Sequence, residues 1–192
     1  MKRNLFIDFD NTLVDTVQAL IQLYNEEHRG KSQIPENIQY EHWNLAELFP
    51  LWDKYDIEEI FNDRYLPLYY TGFSDVYKAI RILSDKYQTY IVSCGGYPNI
   101  TYKANWINET YLIPNNVNSI LLTKNAEDQP DKSIIDMSNG ILIDDNLHSL
   151  DTSNAKFKYV FGKEREYNKT NKYQRLETWK EVIDVLAPES PL

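Results

Sequence analysis

The chain has almost no cysteine. Cys94 is the single one in 192 residues, so no internal disulfide can form, and a reducing compartment, the cytoplasm, is the expected location. Long apolar runs are missing as well. Met1-Lys2-Arg3 leads into an apolar stretch too short for a signal peptide and far too short to span a bilayer, so no membrane partner is expected. Positive charge is also scarce: 20 Lys and Arg stand against 29 Asp and Glu, a net charge of −9. That balance argues against binding long nucleic acid through phosphate neutralisation. Small phosphorylated molecules remain open as partners, because a bound cation reverses the local sign. Repeats and low-complexity linkers are absent too.

What is present suits a folded domain. Hydrophobic residues at 42% and aromatics at 14% supply a core and exclude wholesale disorder. The length fits one ordinary domain, or a core with a modest insertion. Fifteen tyrosines and four tryptophans exceed what core filling needs. Packing with a hydroxyl at the water line accounts for most of them, and a few are available to line a pocket.

Short apolar runs with strand character cover residues 4–9, 89–92, 119–122, 141–143 and 158–161. Each is bounded by turn-formers and followed by enough chain for a helix, an alternation that predicts a parallel sheet of βαβ units. Helical spacing appears over 75–86 (Val76, Ala79, Ile80, Leu83), with Ser74 or Asp75 as N-cap. It appears again over 176–186 (Leu176, Trp179, Val182, Ile183, Leu186), closed by Pro188. Residues 16–72 read differently. A helix over 17–24 is followed by a polar segment at 28–35 and by aromatic-rich helical pieces over 43–51 and 57–70. About 55 residues of helix between two strands exceed a simple crossover. This stretch is expected to form a helical cap over the strand ends, with residues 1–15 and 73–192 as the α/β core.

The chemistry gathers at the ends of the strands. Leu5-Phe6-Ile7-Asp8-Phe9-Asp10 is an apolar run ending in two carboxylates. Ligands of parallel sheets collect just beyond such ends, where one acid can attack phosphorus and the other can move a proton. Ile91-Val92-Ser93-Cys94-Gly95-Gly96 places a hydroxyl and a glycine-rich turn after the second strand, suited to an anion. Lys132 precedes the fourth strand, and Ile141-Leu142-Ile143 ends in Asp144-Asp145. Mg2+ takes oxygen ligands, and phosphoryl transfer needs a cation and donors held in place beforehand. Singly, each element is a turn, a cap or a surface charge; jointly they describe a site. Cys94 could act as a nucleophile, but no basic partner is near in sequence, and a small turn residue is the better reading. His28, His42 and His148 lack ligand spacing and read as surface or packing residues.

Asp8-Phe9-Asp10-Asn11-Thr12 matches the Asp-x-Asp-x-Thr opening of the haloacid dehalogenase (HAD) superfamily of phosphohydrolases. Ser93-Cys94-Gly95, Lys103-Ala104-Asn105-Trp106, Asp131-Lys132 and Leu142-Ile143-Asp144-Asp145 resemble, more closely, the 5′(3′)-deoxyribonucleotidase branch. That resemblance implies a three-layer Rossmann-like core with a parallel sheet, a small helical cap after the first strand, and Mg2+ as cofactor. It implies Asp8 as the nucleophile forming an aspartyl-phosphate and as a metal ligand. Asp10 would be the general acid/base, with its backbone carbonyl on the metal. Ser93 and Lys132, with Cys94 beside them, would hold the phosphate. Asp145 would complete the metal site, with Asp144 as the competing choice.

Three departures from the family pattern stand out. Cys94-Gly95-Gly96 replaces Ser-Pro. Thr16 stands where the nucleotidases carry an aromatic against the base, leaving Trp43, Trp52, Tyr65 or Tyr69 as substitutes. The spacing from Lys132 to the acidic doublet is slightly long, so Lys124 is a lesser alternative for the cation.

The expected activity is Mg2+-dependent hydrolysis of a small phosphomonoester, with a (deoxy)ribonucleoside 5′-monophosphate as the leading substrate. A phosphatase for a sugar phosphate or a phosphoglycolate-like metabolite is the alternative within enzymes. A receiver-like module fits less well, because the third strand ends in Thr123-Lys124 with no acid. A catalytically silent Mg2+-binding protein is disfavoured by the complete set of acids, hydroxyl and lysine.

Overall fold

The computed structural model describes residues 2–35, 38, 40–41, 45–53, 59–124 and 131–190. At its centre is β1 (Asn4–Asp8), whose Leu5, Phe6 and Ile7 are all buried. A strand buried on both faces needs neighbours on both sides and helices above and below. The flanking strands are β2 (Gln88–Gly95) and β4 (Ile141–Asp144). Beyond them lie β3 (Asn118–Thr123), β5 (Phe157–Phe161) and β6 (Gln174–Leu176), giving the order β3-β2-β1-β4-β5-β6. Every pairing is parallel.

Alternation along β1 divides the core. Leu5 and Ile7 join one large cluster that includes α1 (Thr16–Glu27), α2 (Val76–Lys86), α3 (Tyr97–Glu109) and α5 (Trp179–Leu186). Phe6 points the other way, to Val92, Met137, Leu142 and Leu150 of α4 (Leu147–Thr152). Burying each such side chain is worth about 1.5–3 kcal/mol, so register is fixed by these contacts: a one-residue slip would exchange the two faces. In that register Ile7 pairs with Ile91 and with Ile143. The carboxyl ends of β1, β2 and β4 are thereby brought level.

Several boundaries differ from the sequence reading. The second strand runs three residues further, to Gly95, because β3 continues the ladder through Ser93↔Leu121 and Gly95↔Thr123. Ser93 and Cys94 therefore stand in a strand, not in a turn. Leu176 belongs to β6, paired with Phe161. The final helix starts at Trp179, where Thr178 accepts from the Glu181 N–H and the Glu181 carboxylate accepts from the Glu177 N–H at 2.9 Å. That arrangement is close to a capping box, and it was not recognised from the sequence. Asp75 is the N-cap of α2 but sits in the left-handed region, φ 64°, and its carboxylate meets Ser74 instead of the helix N–H groups.

Within residues 16–72, α1 begins after Asp15, whose carboxylate accepts from the Gln18 N–H at 3.0 Å. Of the two further helical pieces, the described residues carry short 3-10 turns, Leu45–Glu47 and Leu66–Tyr69. His42, Trp43 and Ile57 lie outside the described residues. Tyr24, Phe49 and Trp52 pack ring on ring, with centroids 4.8–5.4 Å apart. This aromatic knot belongs to the same cluster as Leu5 and Ile7, so the stretch shares the apolar core of the sheet. Among the described residues no helix is long and apolar enough to cross a membrane.

Candidate active site

The level strand ends place four carboxylates around one small cavity of about 60 Å3, lined by Asp8, Asp10, Cys94, Lys132, Asp144, Asp145, Asn146 and Ser149. After Asp8 the chain turns tightly. Phe9 N–H donates to the Val92 carbonyl, and the Phe9 carbonyl accepts from both Leu13 and Val14. The turn needs Asn11 in the left-handed region, φ 50°, a conformation asparagine tolerates better than most residues. The Asn11 side chain also accepts from Val17 N–H at 3.2 Å, which ties the turn to α1.

Asp144 and Asp145 reach the cavity together for a reason that lies in the backbone. Consecutive strand residues point to opposite faces, but β4 ends at Asp144 and the chain bends at Asp145. Asn146 then caps α4, accepting from His148 N–H and Ser149 N–H, while its own N–H donates to Asp144 Oδ1 at 2.9 Å. One ligand atom each from Asp8, Asp144 and Asp145 lie within 4.8 Å of one another.

Two buried lysines answer the acids. Lys132 Nζ donates to Asp8 Oδ1 and to Asp144 Oδ2, the latter at 2.5 Å. Lys103 Nζ, from α3, donates to Asp10 Oδ2 and to Ser93 Oγ, the latter at 3.1 Å, and lies 5.2 Å from the centroid of the Phe9 ring. Ser93 and Asp10 are 3.5 Å apart, and Thr16 donates to Asp10 Oδ1 at 2.9 Å. The Thr16 position, read as vacant of its aromatic, thus serves Asp10 directly. Asp145 Oδ2 accepts from the Tyr167 hydroxyl at 2.9 Å.

The charges do not balance. Four carboxylates (Asp8, Asp10, Asp144, Asp145) face two ammonium groups (Lys103, Lys132), four minus two, a deficit equivalent to one divalent cation. Burial pushes the Asp8 carboxyl well above its ordinary range despite Lys132, and burial together with Asp144 pushes Asp145 up to about 7. Burial works against the charge on Lys132, but Asp144 and Asp8 prevail and hold its ammonium above the usual lysine range. Hard oxygen donors, close convergence and missing positive charge all fit a hard cation such as Mg2+.

Other candidates fall elsewhere. Cys94 is half-buried and forms a wall shared with a second cavity of about 440 Å3, which Lys124 and His148 also line. Lys124 therefore borders that space, whereas Lys132 meets the acids. Asp131 is exposed and held in a turn by Ser133. Trp52 is buried in the aromatic knot, Tyr69 is half-buried, and Tyr65 is exposed with Arg64 over its ring. His28 lies against the Tyr24 ring at the end of α1, 4.4 Å between centroids with the planes tilted by 31°.

The sequence reading passed over Lys103 as a site residue, quoting it only within a motif. Its signal was available: Asn99, Ile100, Lys103 and Ile107 form the buried stripe of α3, and a lysine in such a stripe requires a partner. Asn62 and Asn99 left no signal. Asn99 N–H donates to Asn62 Oδ1 at 3.3 Å, and Asn99 Nδ2 to the Phe61 carbonyl at 2.6 Å. The two glycines permit this approach: a Cβ on Gly95 would lie 2.5 Å from Asn99 Oδ1, and one on Gly96 would lie 2.7 Å from Asn62 Oδ1.

A family model described as 5′ nucleotidase, deoxy (pyrimidine), cytosolic type C protein matches residues 2–189. No curated protein matches the chain. Among solved structures it is similar to a haloacid dehalogenase-like hydrolase of Streptococcus pneumoniae, with TM-score 0.60, 15% identity, and 98% and 99% of the two chains covered. A subfamily IA HAD hydrolase of Geobacter sulfurreducens gives 0.59 and 15%, covering 97% and 100%. A HAD family hydrolase of Deinococcus radiodurans, solved with bound phosphate and sodium, gives 0.57 and 13%, covering 100% and 99%. At these identities the structures establish the fold.

Proposed function

The chain belongs to the cytosolic type C 5′-nucleotidase family, within the HAD fold and the phosphatase class, and on that premise we propose that it hydrolyses nucleoside 5′-monophosphates with Mg2+. The observation that carries this reading is the buried convergence of Asp8, Asp144 and Asp145 beside Lys132, with Asp10, Lys103 and Ser93 adjoining. Asp8, Asp144 and Asp145 would hold Mg2+, with the backbone carbonyl of Asp10, and the bound cation would supply the positive charge that lets a phosphate dianion approach a carboxylate.

The steps belong to the chain's own residues. An Asp8 oxygen attacks phosphorus, a P–O bond to Asp8 forms, and the bond to the nucleoside oxygen breaks. Asp10 gives its proton to that leaving oxygen. A water then attacks the aspartyl-phosphate, Asp10 takes the water's proton, and phosphate departs with Asp8 restored. Lys132 holds Asp8 against Asp144 and offsets charge on the transferring group. Lys103 and Ser93, which donate toward Asp10 Oδ2 in the free chain, find a better acceptor in the phosphate. Their departure frees that oxygen to carry the proton. Cys94 lies at the cavity wall and contributes shape to the phosphate pocket.

We further propose that residues 16–72 act as the cap over this site and the remainder as the core. Thr16 on Asp10, and Asn62 and Phe61 on Asn99, are the contacts that support it. The family description favours deoxyribonucleotides and a cytosolic location.

A panel of phosphomonoesters assayed with Mg2+ tests the substrate. Nucleoside 5′-monophosphates should rank first, and sugar phosphates ranked above every nucleotide would sink the nucleotidase reading. EDTA should stop turnover and Mg2+ restore it.

A further inference from the structure

Asp8 and Asp144 are both held by Lys132, but Asp145 is not. Among the described residues its carboxylate receives a hydrogen bond from one side chain, Tyr167, which donates to Oδ2 at 2.9 Å. The question is what holds the tyrosine.

Tyr167 sits in the loop between β5 and β6, a loop with unusually complete internal bonding. Asn168 is fully buried; its Oδ1 accepts from Arg165 N–H at 2.9 Å, and its own N–H donates to the Arg165 carbonyl at 3.0 Å. Arg175, on β6, donates to the carbonyls of Gly162 and Asn168, both at 2.8 Å, and so ties the start of the loop to its middle. The loop therefore presents Tyr167 from a fixed frame.

The ring of Tyr167 is also engaged. The Tyr40 ring lies parallel to it, 6° between planes and 6.5 Å between centroids, and Arg165 Cζ stands 4.0 Å from the Tyr40 ring centroid. Tyr167 N–H donates to the Glu41 carbonyl at 3.3 Å. Arg165 Nη1 approaches the Tyr167 oxygen at 3.5 Å. Guanidinium can only donate, so the phenol oxygen accepts from Arg165. Its own proton then needs an acceptor, and the ionised Asp145 carboxylate offers one at 2.9 Å. With Oδ2 engaged by Tyr167, Oδ1 is the oxygen of Asp145 left to meet a cation.

We propose that Tyr167 is a positioning residue for the cation ligand Asp145, held in its donating orientation by Arg165 and by residues 40–41 of the inserted stretch. It touches neither substrate nor cation; it fixes the rotamer of a ligand. Partners of this kind set metal affinity by about 10- to 100-fold in other sites. The inference rests on the reading of the acidic cluster as a Mg2+ site, and it links that site to a region outside the HAD motifs.

The test is Mg2+ titration calorimetry without substrate, on wild type, Tyr167→Phe and Arg165→Met. Tyr167→Phe keeps the ring and its stacking but removes the donor. Its Mg2+ dissociation constant should rise on the order of 10-fold, and the Mg2+ concentration for half-maximal hydrolysis should rise in parallel. Arg165→Met leaves the phenol but frees its proton to turn elsewhere, and a rise of a few-fold is expected. This second variant keeps the idea testable if the first does not fold. Wild-type Mg2+ affinity in the folded variants overturns the positioning role while leaving the nucleotidase reading intact. A wild-type protein that binds no Mg2+ and hydrolyses no phosphomonoester overturns both.

Discussion

On the β4 side of the cavity, Lys132 lies between two buried carboxylates, Asp8 and Asp144, and among the described residues its hydrogen bonds go to these two acids. On the β2 side, Lys103 meets one part-exposed carboxylate, one hydroxyl and an aromatic face. Both lysines are buried to a similar degree, so the contrast is one of partners and not of solvent. A cation between two anions cannot leave without stranding both. A cation shared between an acid and a hydroxyl can turn toward an arriving phosphate at little cost. On the proposed mechanism, the first arrangement holds the nucleophile in place and the second receives the phosphate.

The sharpest test of this division is Asp8→Asn. An amide cannot attack phosphorus, so kcat should fall by on the order of 10^4-fold or more. Removing one of four crowded negative charges should not lower the melting temperature of the metal-free protein. Hydrolysis at the wild-type rate would end the assignment of Asp8 as nucleophile.

The paired lysine variants come next. Lys132→Met strands Asp8 and Asp144 in the interior and should destabilise the metal-free protein by about 3–5 kcal/mol. Lys103→Met should cost about 1–3 kcal/mol, with its larger effect on KM for the phosphomonoester. Urea titrations of both variants beside steady-state kinetics give the comparison; equal stability losses would erase the distinction between the two sides.

The pH dependence sharpens it further. Asp8 is raised, and Asp145 rises to about 7 from an ordinary 3.8, so the folded state retains protons that the unfolded chain has released. Stability of the metal-free protein should therefore be fully present below about pH 4 as far as these groups are concerned, and should decline as pH rises from about 4 to about 7. Saturating Mg2+ should flatten that decline, because the cation favours the ionised acids. At 100 times its Kd, bound Mg2+ adds roughly 2.7 kcal/mol. Denaturation curves at pH 5 and pH 8, with EDTA or with Mg2+, would show whether the slope has this sign.

The smallest effect is expected on the β2 side. In Gly96→Ala the new methyl would meet Asn62 Oδ1 and swing that exposed side chain away from the Asn99 N–H, at a cost of about 1 kcal/mol or less at this N-cap position. The Mg2+ affinity, which the proposed site places on the β4 side, should stay unchanged. A shift in Mg2+ affinity would mean that the two halves are coupled more tightly than their contacts indicate.

How much of this could be read from the residues depends on the length scale of each signal. The five longer strands and α2 were legible, because two-residue and 3.6-residue periodicities are local. The β6 strand was missed, since three residues paired to β5 carry no periodicity of their own. Asp8, Asp10, Ser93, Asp144 and Asp145 were legible as candidates from their place at or just beyond strand ends, and Lys132 from the Asp131-Lys132 motif ahead of β4. Lys103 was legible only in part, as a lysine on an apolar helical stripe. Tyr167 was not legible at all: it follows β5 in a polar loop, 22 residues from the acid it meets.

The order of apolar runs, acids and helical stripes, taken alone, determined a parallel α/β sheet with acids at its carboxyl edge, because strand and helix periods are written in neighbouring residues. The tertiary structure alone decided which lysine answers which carboxylate, that both members of the Asp144-Asp145 doublet enter the cavity, and that Tyr167 grips one of them. Those outcomes depend on where strand register and loop closure bring distant side chains within 3 Å of each other, and desolvation then makes each pairing count.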